Sequence, residues 1–522
     1  MNYFVLPLKY RYLFKKVSIL VLALLGGSFV FILTNSYGAG LTPDSVAYIS
    51  AARNLAEGHG FQTYNGFYLV VQPPLYPIIL AVIKKITIMD PLKSAGYVNA
   101  VLFGVIIYLS GLLLLKYLKS FVLIFLGTVS VLISYALVQA SLMALSELLF
   151  IFLVLLFIYF FAAYQKKSNL VSLFLFSVSV ALSCLTRYTG VVLILTGLIC
   201  ILVLSENNAK SKFWHSLIFL VIAVSPISIW ITRNYFISGT LVGQRAASSY
   251  TLFENIKFFF NTVSSWFLPS NLFGIYFILI LLIISVWFFF GLDRSKSSLT
   301  ELIKQIGPAL LLVLLYVGVI VISSTTTAYD RISDRLLSPI YIPIIFIAFF
   351  IFDKIRTWLI KFSYSKLITA LLVIGIIWLI KAPVENTIHI IKEYVAFSGL
   401  GYNSNSWRRS ETIEYLKQHE LLWENFKFYS NEPEAVYILT NINTKRSPAK
   451  TFYNSPKHFD VFPNQKDSWR IGENVCLIWL DNTNQNFLFT LAELQKGINM
   501  VEVAHLKDGR IYTFSLNLAY KK

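Results

Sequence analysis

Apolar runs of about 18 or more residues, broken by short polar and basic stretches, recur along most of the chain. Their lengths predict membrane-spanning helices near 17–34, 96–115, 120–139, 143–163, 170–186, 189–205, 213–232, 271–291, 308–323, 336–352 and 366–381. None carries a charge near its middle. Residues 74–89 are also apolar, but the segment is short for a crossing and holds Lys84 and Lys85. It reads as an amphipathic helix lying on the membrane. Ahead of it, Pro43 and Asp44 open a short helix that Gly58 to Gly60 close. Beyond about residue 383 the pattern changes. Trp407 to His419 has helical spacing, Val475 to Leu480 reads as a buried strand, and Val501 to Ser515 alternates around Asp508-Gly509, a hairpin signal. The expected architecture is a polytopic α-helical membrane protein. Residues 1–382 form about eleven transmembrane helices with a first outer loop at 35–95, and residues 383–522 form a small soluble α/β domain.

Composition agrees: 57% of the 522 residues are hydrophobic, 13% are charged, and mean hydropathy is +0.67. A soluble protein could not hide that much apolar surface. The net charge of +18 does not indicate nucleic acid, because Lys and Arg lie in short clusters between apolar runs, such as Lys15 and Lys16, Lys166 and Lys167, and Lys354 and Arg356. Such clusters orient helices in a bilayer. A cytoplasmic N-terminus puts them on the cytoplasmic side. The 35–95 loop, the turns near 140–142 and Arg187, the 233–270 and 324–335 loops and the tail then face the periplasm. The cost is Lys84, Lys85 and Lys93 on the outer side; were 74–89 a crossing, every later cluster would change sides. Residues 1–34 resemble a signal peptide, with Gly38-Ala39-Gly40 as a cleavage site, but the apolar run is long and further spans follow. They read as an uncleaved first helix in the inner membrane. Cys184, Cys200 and Cys476 have neither disulfide nor metal-ligand spacing.

The polar residues gather at outer helix ends. That favours chemistry at the interface over ion coupling, which needs charges within the membrane. Asp44 has two readings: an N-cap, or a base that takes the proton of an acceptor hydroxyl. Glu147 is a dipole-favoured first-turn carboxylate or a second acid. Arg187, Arg233, Arg245, Arg331 and Arg335 share the same face. They are snorkelling anchors, or guanidinium forks for phosphate oxygens. Asp330 and Asp334 offer local partners to Arg331 and Arg335. Tyr48, Tyr76 and Tyr188 sit at interfacial depth and are candidate substrate-lining residues. His59 stands alone between glycines, so no protein-held metal is predicted and no cofactor is implied.

In order, the chain shows Pro43-Asp44-Ser45-Val46-Ala47-Tyr48, then Ala52 through Phe61, Pro73-Pro-Leu-Tyr-Pro77, Ser146-Glu147, Thr186-Arg-Tyr-Thr-Gly190, Arg233-Asn234 with Gly239 and Gly243, and Arg335-Leu-Leu-Ser-Pro339. This order resembles the bacterial GT-C membrane glycosyltransferases and is similar to the protein O-mannosyltransferase and aminoarabinose transferase group. The resemblance covers most of 1–382. It implies juxtamembrane helices in the first outer loop, a polyprenyl-phosphate-linked sugar donor, and an acid in that loop near the reaction centre. It carries that acid to Asp44 and, from the second loop, to Glu147. One departure is Ser45 directly after Asp44, where protein mannosyltransferases have a second acid; the tail is also unlike their lectin-like repeat domain.

The expected function is transfer of a sugar from a polyprenyl-phosphate donor to a hydroxyl of a glycan, lipid or protein acceptor at the outer face of the inner membrane. It proceeds with inversion and with Asp44 as general base. The rival is a lipid-linked sugar flippase or transporter; a membrane-anchored sensor is a third reading.

Overall fold

The computed structural model describes residues 8–267, 296–359, 365–419, 426–451, 453, 455, 474–481, 483 and 485–515. Its membrane part begins with α1 (Leu8–Tyr37), followed by two helices of the 35–95 loop, α2 (Pro43–Glu57) and α3 (Leu75–Thr87). Then come α4 (Pro91–Tyr117), α5 (Phe121–Leu132), α6 (Tyr135–Leu142), α7 (Glu147–Lys167), α8 (Leu170–Thr186), α9 (Val191–Ile199), α10 (Ala209–Ser238), α11 (Leu252–Ser265), α12 (Lys296–Thr326), α13 (Asp334–Leu359) and α14 (Ser365–Ala396). Among the described residues, six helices are long and apolar enough to cross a membrane: α4, α7, α10, α13, Tyr12–Tyr37 of α1 and Leu299–Thr326 of α12. The pair α5 and α6, bent by 42°, makes up to seven. Helix α8 is apolar but shorter, as is the run Tyr188–Leu204 that contains α9.

Within the described residues the predicted segments fall on these helices, with three differences. The 120–139 run is broken rather than continuous. Ser134 caps α6 by accepting from the Leu137 amide, while the Ile133 carbonyl accepts from Thr387 Oγ1 at 2.8 Å, so both freed backbone groups find partners at the bend. The run at 143–163 starts late, at Glu147, because Met143 and Ala144 are spent on a backbone bridge described below. Helix α14 runs through the expected boundary at 382 to Ala396. The segment 271–291 lies outside the described residues.

The C-terminal part holds α15 (Asn405–Arg408), α16 (Glu411–Gln418), β1 (Phe426–Ser430), α17 (Pro433–Thr440), β2 (Thr444–Arg446), β3 (Asn474–Leu480), α18 (Leu491–Gly497), β4 (Val501–Leu506) and β5 (Gly509–Ser515). Sheet order is β2-β1-β3-β5-β4, with β1 parallel to β2 and β3, and β5 antiparallel to β3 and β4. The expected hairpin turns at Lys507-Asp508. Alternating β3 residues bury opposite faces: Cys476, Ile478 and Leu480 pack on Ile413 and Leu416, while Val475 and Leu477 pack on Leu494 and Tyr512.

This unit is clamped onto the first outer loop. Tyr437 stacks on Tyr64 with centroids 4.5 Å apart, and Arg53 spans the two parts, donating to both Asp90 carboxylate oxygens and to the Tyr437 hydroxyl. One short parallel bridge completes the join, Leu41 with Gly401. Gly401 has φ +58°, and a Cβ there would sit 1.9 Å from the Leu41 carbonyl oxygen. Gly401→Ala is therefore expected to loosen the clamp, at a cost of about 1–3 kcal/mol for the backbone strain alone. Limited proteolysis should then cut between the helical part and the sheet; a digestion pattern like wild type would contradict this.

Candidate active site

The Gly40–Met143 bridge sets the site. The Gly40 amide donates to Leu142 O at 2.7 Å and the Ala144 amide to Gly40 O at 2.9 Å. Because the bridge is parallel, equal counts along both chains stay in step. Four residues on from each partner come Asp44 and Glu147, each in the first turn of a helix. Asn99, fully buried on α4, braces the junction by donating to the carbonyls of Ser141 and Met143. The N-cap of α2 is Thr42, whose side chain forms a capping box with Ser45. Asp44 is therefore not the cap, and its carboxylate is free to point outward. Ser45, directly after Asp44, is spent on that box.

Two arginines reach this pair from other helices. Arg187 ends α8 at a tight turn, where Gly190 passes so close that a Cβ would lie 2.7 Å from Ser183 O. Arg335 stands in the first turn of α13. Glu147 Oε1 takes both, Arg187 Nη1 at 2.6 Å and Arg335 Nε at 2.7 Å. Arg335 Nη2 bonds Asp44 Oδ2, and its Nη1 lies 3.6 Å from Asp330 Oδ2. Glu147 is 1% exposed, and its Oε2 has no hydrogen-bond partner among the described residues. Two acids and two guanidinium groups interlock as a quartet, with Asp330 farther out beside Arg335, and such pairing is the condition under which a buried ion like Glu147 is tolerated.

The quartet borders a cavity of about 420 Å³. Asp44, Arg187 and Arg335 line it; Glu147 does not. Asp44 Oδ1 accepts from Gln72 Nε2 at 2.9 Å, so the carboxylate is held from both sides while keeping spare acceptor positions. Tyr48 lines the cavity, with its hydroxyl 3.1 Å from Ser146 Oγ. Burial, then the charge of Asp44, push this phenol up, so it stays protonated. Tyr188 also lines it, donating to Val70 O at 2.7 Å and accepting from Trp230 and Asn234. Arg245 lines it from the 239–251 loop, above the Tyr329 ring.

Three expected site residues lie elsewhere. Tyr76 is fully buried behind Tyr48, edge to face at 5.2 Å, and is not among the lining residues. Arg233 donates to Leu69 O at 2.8 Å and stacks on Trp230, so it holds the first loop to α10. Arg331 stacks on Phe258, with Cζ 4.0 Å from the ring centroid. Asp334 pairs with neither arginine but accepts from Trp266 Nε1 at 2.6 Å. Gln72, Tyr329 and Tyr453 were not foreseen. Gln72 stands just before the Pro73-Pro74 pair that carried part of the resemblance, whereas Tyr453 has no local signal at all. Among the described residues, no group of three or more His, Cys, Asp or Glu is placed to hold a metal.

This arrangement, two acids and two arginines at the ends of apolar helices beneath a small α/β unit, sits on a known fold. No family model and no curated protein matches the sequence. Among solved structures, the likeness is one of fold. ArnT from Cupriavidus metallidurans in the apo state is similar with TM-score 0.58 at 11% identity, over 94% of this chain and 97% of that one. The same protein bound to undecaprenyl phosphate gives TM-score 0.58 at 12% identity over the same shares.

Proposed function

We propose that this chain is a polyprenyl-phosphate-sugar-dependent glycosyltransferase of the inner membrane, with its site on the periplasmic face. One observation carries the reading: a carboxylate and a guanidinium without a carboxylate partner share one cavity at the outer helix ends. Of the lining cations, Arg187 and Arg335 are bound by Glu147, Asp44 and Asp330. Arg245 has no carboxylate partner among the described residues; its Nη2 donates to Val242 O at 2.9 Å. It is the cation available to a phosphate that arrives from the lipid, while the quartet keeps Asp44 aimed. The basic helix ends, Lys116 on α4, Lys166 and Lys167 on α7 and Arg356 on α13, are opposite to those that carry the site. This agrees with a cytoplasmic N-terminus.

The proposed step balances simply. The acceptor hydroxyl oxygen attacks the anomeric carbon, and its proton passes to Asp44. The bond from that carbon to the phosphate oxygen breaks, and its electron pair leaves with the polyprenyl phosphate, whose charge Arg245 holds. Attack opposite the leaving group inverts the anomeric centre. Asp44 then gives its proton to water. Glu147 does not touch the cavity and acts as a positioning residue through Arg187 and Arg335. The undecaprenyl phosphate bound by ArnT makes that lipid the first donor carrier to try.

Purified protein in nanodiscs is expected to bind undecaprenyl phosphate, and Arg245→Ala to weaken it about tenfold, the worth of one charge-assisted contact. Equal affinity in the variant would remove Arg245 from the donor site. In the source bacterium, deletion of this protein should erase one sugar from the cell-envelope glycans, seen by mass spectrometry; an unchanged glycan profile would overturn the reading.

A further inference from the structure

The C-terminal unit contributes a residue to this cavity. Tyr453 lines it, and its hydroxyl donates to Asp330 Oδ1 at 3.1 Å. The chain leading to Tyr453 is built into the soluble unit. The Lys450 amide donates to Phe487 O at 2.7 Å, Lys450 Nζ meets Glu493 Oε2 at 2.6 Å, and the Tyr453 ring stands edge to face on Phe487 at 5.5 Å. Asp330 belongs to the connection between α12 and α13, and its other oxygen faces Arg335. A continuous path thus runs from the soluble unit through Tyr453, Asp330 and Arg335 to Asp44.

The cavity wall has two characters. Val319 and Ile320 line it from α12, six to seven residues before that helix ends, or about 10 Å deeper at 1.5 Å per residue. That wall suits the lipid-borne donor. Toward the soluble unit the lining changes to Asp330 and Tyr453. An acceptor must approach Asp44 from the side the donor leaves open. Resting on the glycosyltransferase reading above, we infer that Tyr453 and Asp330 form the acceptor side of the site and that Tyr453 is a specificity-determining residue lent by the C-terminal unit. Asp330 is half exposed and, as a carboxylate, only accepts hydrogen bonds. The pair therefore suits an acceptor with hydrogen-bond donors, hydroxyl or amine, beside the reacting hydroxyl. Binding exchanges the Tyr453 bond to Asp330 for bonds to the acceptor.

The test uses the full-length protein in proteoliposomes, with lipid extract of the source bacterium as donor and graded amounts of membranes from the deletion strain as acceptor. Tyr453→Phe keeps the ring and its packing on Phe487 while removing the hydroxyl. It is expected to raise the half-saturating amount of acceptor membranes about fivefold, with the plateau rate within twofold and undecaprenyl phosphate affinity unchanged. Tyr453→Ala should raise it further at an unchanged melting temperature. A Tyr453→Phe titration that overlays wild type, or a change in donor-lipid affinity instead, overturns the inference. Asp44→Asn in the same assay separates the two claims: lost transfer there, with an unaltered Tyr453→Phe curve, leaves the glycosyltransferase standing and removes only the acceptor assignment.

Discussion

Asp44→Asn is expected to slow sugar transfer by about 10²–10⁴-fold, the usual worth of a positioned base, while the protein folds and melts almost as wild type. The two halves of that expectation come from different contacts. The carboxylate is about one third exposed and faces the cavity, so its neutralisation strands no buried group. Arg335 keeps Glu147 and Asp330, and Gln72 keeps an amide oxygen to donate to. Asparagine, however, cannot take a proton from an attacking hydroxyl. Transfer by the purified variant at wild-type rate would remove Asp44 from catalysis. The same proteoliposomes answer the rival reading: lipid-linked sugar that crosses the bilayer without any new glycosidic bond would make the protein a flippase.

Glu147→Ala should fail in the opposite manner, losing both stability and activity. Glu147 is the common anchor of Arg187 and Arg335, whose side chains are 13% and 27% exposed. Its removal leaves two like charges facing each other over a small void. Loss of one partner from a buried ion pair costs about 3–5 kcal/mol. The melting temperature in detergent should fall clearly, and donor-dependent transfer with it, because Arg335 no longer fixes Asp44. Arg187→Met added to Glu147→Ala should recover part of the stability, since it removes an unpaired charge, but not the activity. A Glu147→Ala protein that melts with wild type would refute the view of Glu147 as the hub. The contrast between the two acids is the test of their assigned roles: one is needed for the reaction, the other for the geometry of the reaction.

Much of the frame was legible along the chain. Span positions follow from run length, because a bilayer core admits few alternatives to an apolar helix of about 20 residues. The helix at Pro43–Glu57 was readable from Pro43 at one end and Gly58 at the other, and Leu75–Thr87 from its apolar face and lysines. Asp44 stood out because a carboxylate beside a membrane helix is costly without a purpose. The bend at Ile133 and Ser134 was not readable, because Thr387, whose hydroxyl donates to the freed carbonyl, lies 254 residues away.

What the sequence determined by itself is the set of polar groups at helix ends, for these arise from local periodicity and charge placement. It could not sort the five arginines, since every guanidinium is chemically alike and only its neighbours set its role. Tertiary structure made Arg187 and Arg335 partners of Glu147, turned Arg233 and Arg331 into stacked braces, and left Arg245 beside the cavity. It also moved Tyr76 behind Tyr48, placed Gln72 against Asp44 and brought Tyr453 to Asp330 across 123 positions of chain. The physical reason is range. Helix and strand preferences act over a few residues, whereas ion pairing in a poorly hydrated site depends on which distant elements the fold packs together.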